Sequence, residues 1–164
     1  MRLLAVAKRE LRRLRVSELR RHRSYWRQHA REAYSEPLPF DPDWSLLRRL
    51  EETGQLLMVG MFVDGRLVGH AALTIYRHAM SRGKVAAQEI ALYICREFRS
   101  FGTASLLIRA MERMAQVAGC SQIILHVPAR ARRLGTLYAR LGYRPLFEVH
   151  GKELKSDGVG MDSS

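Results

Sequence analysis

The sequence predicts an α/β (α+β) domain, a mixed sheet with helices packed against it, and three observations carry this. Two apolar alternating runs flank Asp64-Gly65, a strong hairpin signal. An apolar run at 85–95 leads through a small-residue turn into an amphipathic helix and a further apolar run. Helical patterns precede the hairpin and follow the last of these runs. At 164 residues with 47% hydrophobic content, the chain is long enough for one domain with a core and short for two.

The first helix is expected over 17–34, with Ser17 as N-cap and Leu19, Tyr25, Trp26, His29 and Ala33 near helical spacing. EPLPFDPDW must be a loop because its three prolines cannot continue a helix. A second helix over 43–53 starts near Asp43 and stops at Gly54. Strands follow at 56–63 and 66–78, then a central strand at 85–95. A helix at 103–118 carries Leu106, Leu107, Ala110, Met111, Met114 and Val117 on one face, and Gly119 ends it. SQIILHV, 121–127, reads as a buried strand, 130–141 as a short helix and 143–154 as a last strand. A strand–helix–strand unit at 85–127 should cross over right-handed. The expected organisation is a basic N-terminal segment at 1–16, one domain at 17–155 and a disordered tail at 156–164.

Charge is the unusual feature. The net charge is +12, and residues 8–31 hold ten cations against two acids. Such a run can attract nucleic acid through a basic helix, or it can be a solvated surface. No apolar run reaches membrane-spanning length and the N-terminus lacks a secretory pattern, so a soluble, cytoplasmic protein without a membrane partner is expected. Cys95 and Cys120 lack metal-site spacing and read as buried free thiols, with no metal expected.

REFRSFGTASLLIRAMERMAQ, 96–116, holds Gly102 and Ala104 after Arg99, at a strand-to-helix junction. A helix N-terminus leaves backbone N–H groups unpaired and favours negative charge, and small residues let an anion approach. Arg99-Ser100-Phe101-Gly102-Thr103-Ala104 fits R/Q-x-x-G-x-G/A. Here the chain resembles the GCN5-related N-acetyltransferases. LLMVGMFVDGRLVGHAAL, QEIALYICREFRSFGTASLL and LYARLGYRP are similar to successive segments of that family, over about residues 45–155. AYSEPLPFDPDWSLLRRLEETGQLLMVG also resembles a subgroup encoded by bacteriophages.

The resemblance implies a mostly antiparallel sheet of the acyl-CoA acyltransferase type, and acetyl-CoA as cofactor. It implies direct transfer of acetyl to the primary amine of a small molecule or protein. The coenzyme would be held by backbone N–H groups of Tyr93, Ile94 and Cys95 and by the loop Arg99, Ser100, Phe101, Gly102, Thr103, Ala104 and Ser105. Glu89 matches an acid used as base, and Tyr138 the tyrosine that protonates the thiolate. Simple strand alternation would put Glu89, Ala91 and Tyr93 on one face. His126, at the end of the fifth strand, is a further base candidate, with His78 behind it. The acceptor wall would include Tyr25, Trp26, Tyr34, Trp44 and His78, and a cationic rim favours an acidic or neutral acceptor. Other readings stay open: a nucleic-acid-binding protein using residues 8–31, or transfer to a nucleic-acid-linked amine. A homodimer is common in the family.

Overall fold

The computed structural model describes residues 8–33, 41–128 and 131–152. Five strands form one sheet in the order β1 (Arg9–Arg13), β2 (Leu56–Val63), β3 (Arg66–Arg77), β4 (Val85–Ile94) and β5 (Gln122–Ile124). The first four pair antiparallel and β5 joins β4 in parallel, so the sheet is mixed and mostly antiparallel, as expected. The helices are α1 (Val16–Leu19), α2 (Arg23–Ala33), α3 (Trp44–Glu52), α4 (Phe101–Val117) and α5 (Arg132–Arg140). Tyr34 and the expected tail at 156–164 lie outside the described residues.

The β2–β3 hairpin turns where the sequence places it. Asp64 and Gly65 both have positive φ, +49° and +79°, the geometry a two-residue turn needs to match strand twist. Asp43 caps α3, accepting the Leu46 N–H at 2.9 Å. Each sheet face carries its own core. Val59, Val68, Leu73 and Ala87 meet Leu107, Ile108 and Met111 of α4 and Leu137 and Tyr138 of α5. On the other face Leu56, Met58, Phe62, Ala72 and Tyr93 meet Leu14, Val16, Leu19, Tyr25 and Trp26.

Four expectations change. Residues 8–31 are not one basic helix: Arg9–Arg13 form an edge strand against β2, and Arg12 bonds Glu18 at 2.8 Å over the Phe62 ring. On α4 the buried face is Thr103, Leu107, Ile108, Met111 and Ala115, while Leu106 and Val117 face outward. The helix is rotated so that Ile108, not Leu106, meets the sheet. The expected strand at 121–127 shortens to three residues because the chain turns away from β4 at His126. No strand forms over the described part of 143–154. A cavity of about 580 Å3 separates Leu146 and Phe147 from β5, and Pro145 offers no N–H to a ladder.

Leu14, fully buried behind β1, bonds its N–H to the Met58 carbonyl at 2.9 Å. Leu14→Ala should cost roughly 2–5 kcal/mol in urea unfolding. A change below about 0.5 kcal/mol would show that this segment is not part of the cooperative core.

Candidate active site

The site is built where β4 and β5 part. β4 pairs with β5 only from Ala86 to Gln88, whereas its pairing with β3 runs to Ile94. At the parting point β4 carries a bulge. Leu73 opposes Glu89 and the next β3 residue, Ala72, opposes Ala91, so Ile90 is an extra residue. The bulge breaks the simple alternation expected for Glu89, Ala91 and Tyr93. Ala91, Tyr93 and Cys95 pack in the α1–α3 layer, whereas Ala87, Leu92 and Ile94 pack against α4 and α5, the side on which Glu89 meets Tyr138.

Glu89, His126 and Tyr138 come together at this fork. Glu89 is buried, and its Oε2 accepts the His126 backbone N–H at 3.1 Å. His126 Nδ1 lies 2.9 Å from the Glu89 carbonyl and 3.5 Å from its carboxylate. A carbonyl only accepts, so Nδ1 carries the proton in neutral imidazole. Nε2 is then left with its lone pair, 3.3 Å from the side-chain amide of Gln88. Burial raises the Glu89 pKa, partly offset by the His126 hydrogen bonds and charge. The Tyr138 hydroxyl donates to the His126 carbonyl at 3.4 Å. Burial and the Glu89 charge hold this phenol above its ordinary range, so it keeps its proton.

The loop expected to hold an anion opens α4. Ser100 is its N-cap, with Oγ accepting the Thr103 N–H at 3.1 Å and 2.8 Å from the Thr103 hydroxyl. Thr103 is buried, and the Ser105 hydroxyl donates to the Phe101 carbonyl at 2.7 Å. Phe101 is exposed with the Arg140 guanidinium 5.6 Å from its ring. A Cβ built on Gly102 meets no atom within 4 Å, so the loop backbone is open to a ligand there. Ala104 is half-buried beside it.

Two expected binding residues are otherwise engaged. Arg99 donates from Nε to the Ile94 carbonyl at 2.7 Å, pairs with Glu32 of α2, and sits 5.5 Å over the Tyr93 ring. The Cys95 N–H bonds the Val68 carbonyl at 2.8 Å, and burial raises its thiol pKa. Backbone directions alternate along a strand, so the N–H groups of Leu92 and Ile94 face the open β5 side. Tyr93 turns its ring into the α1–α3 core.

That core holds a cluster of rings the sequence reading identified only in part. His70 of β3 is 1% exposed, with Nδ1 2.7 Å from the Tyr25 hydroxyl. The Trp26 ring lies 4.2 Å from it, His29 4.8 Å and Tyr25 5.5 Å. Tyr25, Trp26 and Trp44 were expected in an acceptor wall, and Trp26 and Trp44 line a cavity of about 280 Å3. His78 stands apart at the exposed end of β3, in a turn closed by its N–H to the Lys84 carbonyl. Gln88 and His70 were missed because nothing local marks them; their partners lie 38 and 45 positions away.

This architecture, an antiparallel sheet that forks at β4 and β5 beside a small-residue helix start, is that of acyl-CoA acyltransferases. Residues 23–143 match the acetyltransferase (GNAT) family, and the chain belongs to that family. An aminoglycoside acetyltransferase from an uncultured soil metagenomic sample shares the fold with a TM-score of 0.75 at 16% identity, over 90% of this chain and 99% of that one. Ribosomal-protein-alanine N-acetyltransferase from Brucella melitensis biovar Abortus 2308 does so at 0.70 and 19%, over 90% and 100%. AAC(6')-Iy, solved with a bisubstrate analogue of coenzyme A, does so at 0.64 and 20%, over 90% and 99%. No curated protein sequence matches the chain. The family transfers acetyl groups to amines from acetyl-CoA, and no described helix is long and apolar enough to cross a membrane.

The buried histidines give a pH prediction. Burial lowers the His29 pKa to about 4, while the unfolded chain takes that proton near 6.5. Between these values the unfolded state binds more protons, so stability falls as pH falls. His70 is depressed for the same reason and acts in the same direction. Glu89, raised by burial, acts oppositely above its ordinary 4.5, losing stability as pH rises through its folded value. For His29 the loss by pH 4 is about 3 kcal/mol. The urea midpoint should drop between pH 6.5 and 4.5 and drop less in His29→Phe; equal slopes would contradict a neutral, buried His29.

Proposed function

We propose that this chain is an acetyl-CoA-dependent N-acetyltransferase that joins coenzyme and acceptor in one ternary complex at the β4–β5 fork. The observation that carries the proposal is the fork itself, with Glu89, His126 and Tyr138 gathered at its base and the open Gly102 loop at its mouth. These residues fit the coenzyme. The first turn of α4 offers N–H groups to a pyrophosphate, Gly102 lets it approach, and Leu92 and Ile94 direct N–H groups toward the gap. When bound, acetyl-CoA supplies an activated acetyl thioester.

This chain's own residues would handle the protons. An ammonium ion has no lone pair, so the acceptor must lose a proton before it attacks. His126 Nε2 carries the lone pair, its orientation fixed by Nδ1–H to the Glu89 carbonyl; it accepts from the Gln88 amide at 3.3 Å, and the acceptor amine would take that amide's place. The Glu89 carboxylate behind it would stabilise the imidazolium formed by proton uptake, which makes Glu89 the partner rather than the first acceptor of the proton. Tyr138 keeps a proton on its hydroxyl beside the same strand end, as a donor to a leaving sulfur.

Calorimetric titration with acetyl-CoA tests the reading. Saturable one-site binding is expected for the wild type and none for Gly102→Glu. The added side chain enters open space, so the fold survives, but its charge occupies the anion's place. Equal affinity in both proteins would refute the loop assignment. In thiol-release assays His126→Ala should lower kcat by about 10²-fold while leaving the affinity for acetyl-CoA unchanged. A loss of affinity instead would make His126 a structural residue.

A further inference from the structure

On the sheet face opposite Glu89, a cavity of about 280 Å3 opens between α2, α3 and strands β2 to β4. Ile90, the extra residue of the bulge, lines it, so the cavity adjoins the fork directly. Most of its wall is apolar, including Leu47, Met58 and Ala72. Its polar equipment is unusual. The buried Nε2 of His70 and Nε1 of Trp26 have no hydrogen-bond partner among the described residues, and both residues line the cavity. Unpaired buried donors are costly and rare, so two on one wall call for a reason.

The hydrogen bond on the far side of the ring settles what His70 offers. The Tyr25 phenol, held above its ordinary range by burial, keeps its proton. Its hydrogen-bond partner among the described residues is His70 Nδ1, at 2.7 Å. The phenol therefore donates to Nδ1, and the single proton of neutral imidazole sits on Nε2. Burial keeps both His70 and His29 uncharged at neutral pH. Two of the lining residues thus carry neutral, unpaired N–H groups, and none of the described lining residues is a lysine or arginine. Asp41, exposed, is the single carboxylate among the described lining residues.

We infer that this cavity takes the non-reacting part of the acceptor, and that this part is an uncharged apolar group with a carbonyl oxygen near the amine. This rests on the transferase reading above. A carbonyl oxygen has the two lone pairs that could satisfy both donors. A polyamine or an aminoglycoside, which brings several positive charges, would meet donors and apolar surface where it needs carboxylates. An α-amino amide, or the first residue of a peptide, has the required amine, side chain and carbonyl.

The protein carries its own reporter. It has two tryptophans, Trp26 and Trp44, and both line this cavity. Tryptophan emission should therefore respond to its occupant. The probes are L-phenylalaninamide, which has the carbonyl, and 2-phenylethylamine, which lacks it. Each is titrated into wild type and into Trp26→Phe, which keeps a ring and removes the N–H; Trp44 still reports. Each probe is its own control, so their different amine basicities cancel. The substitution should weaken the amide about tenfold and the amine less than about twofold. His70→Phe runs the same cycle if Trp26→Phe fails to fold. Equal weakening of both probes, no saturable response to the amide, or tighter binding of spermidine would each overturn the inference. Separate calorimetry with acetyl-CoA distinguishes the two failures. Loss of coenzyme binding with the amide preference intact would refute the transferase reading and leave the cavity assignment standing.

Discussion

One hydrogen-bonded exchange, between Glu89 and His126, organises the rest. Past Ile124 the β5 chain no longer pairs with the β4 ladder. Instead the His126 N–H turns to the Glu89 carboxylate, and the His126 ring turns to the Glu89 carbonyl. Had the ladder continued, the gap between β4 and β5 would be closed by backbone bonds. A side chain thus replaces a strand partner, and the sheet opens without leaving this N–H unpaired. The arrangement also explains why a carboxylate is tolerated in a buried place: desolvation raises its pKa, and the two His126 donors oppose that rise.

The bulge at Ile90 divides the chemistry between two faces. Without it, Glu89 would share a face with Tyr93 and point into the aromatic cluster, away from the His126 N–H that it accepts from. With it, Glu89 turns toward Tyr138, and Tyr93 turns toward Tyr25 and His29. Glu89 and the apolar cavity lined by Ile90 then lie on opposite sides of one strand, one residue apart. A single inserted residue is enough, because the side-chain period of a strand is two.

Much of this was legible in the sequence, and the remainder was hidden for identifiable reasons. The Asp64-Gly65 turn and the start of α3 at Asp43 follow from local chemistry that any reader can apply, whereas Glu89 was marked only by the family resemblance. β1 was hidden because RELRR is exposed on an edge strand, where arginines serve as well as they do on a helix. Only the buried Leu14 after it, and Leu11 within it, carry a core signal. The bulge has no mark in QEIALYIC, since the extra residue is an ordinary isoleucine whose role is set by the β3 register. His70 sits in an apolar strand as a single polar residue, and its meaning comes from Tyr25 and Trp26 on a helix far away in sequence. Long-range pairing, not local preference, decides these positions.

Helix α2 joins the two sides of the site. Trp26, His29 and Ala30 line the apolar cavity, while Glu32, one turn or so further on, pairs with Arg99 just ahead of the α4 cap. Arg99 in turn holds the Ile94 carbonyl at the end of β4. The residue that the loop pattern marks as an anion binder is therefore also the clasp between α2 and the strand end. Its guanidinium is half-exposed, so the ion pair alone contributes little stability. What it contributes is geometry: the cavity wall, the strand end and the start of α4 share one connection.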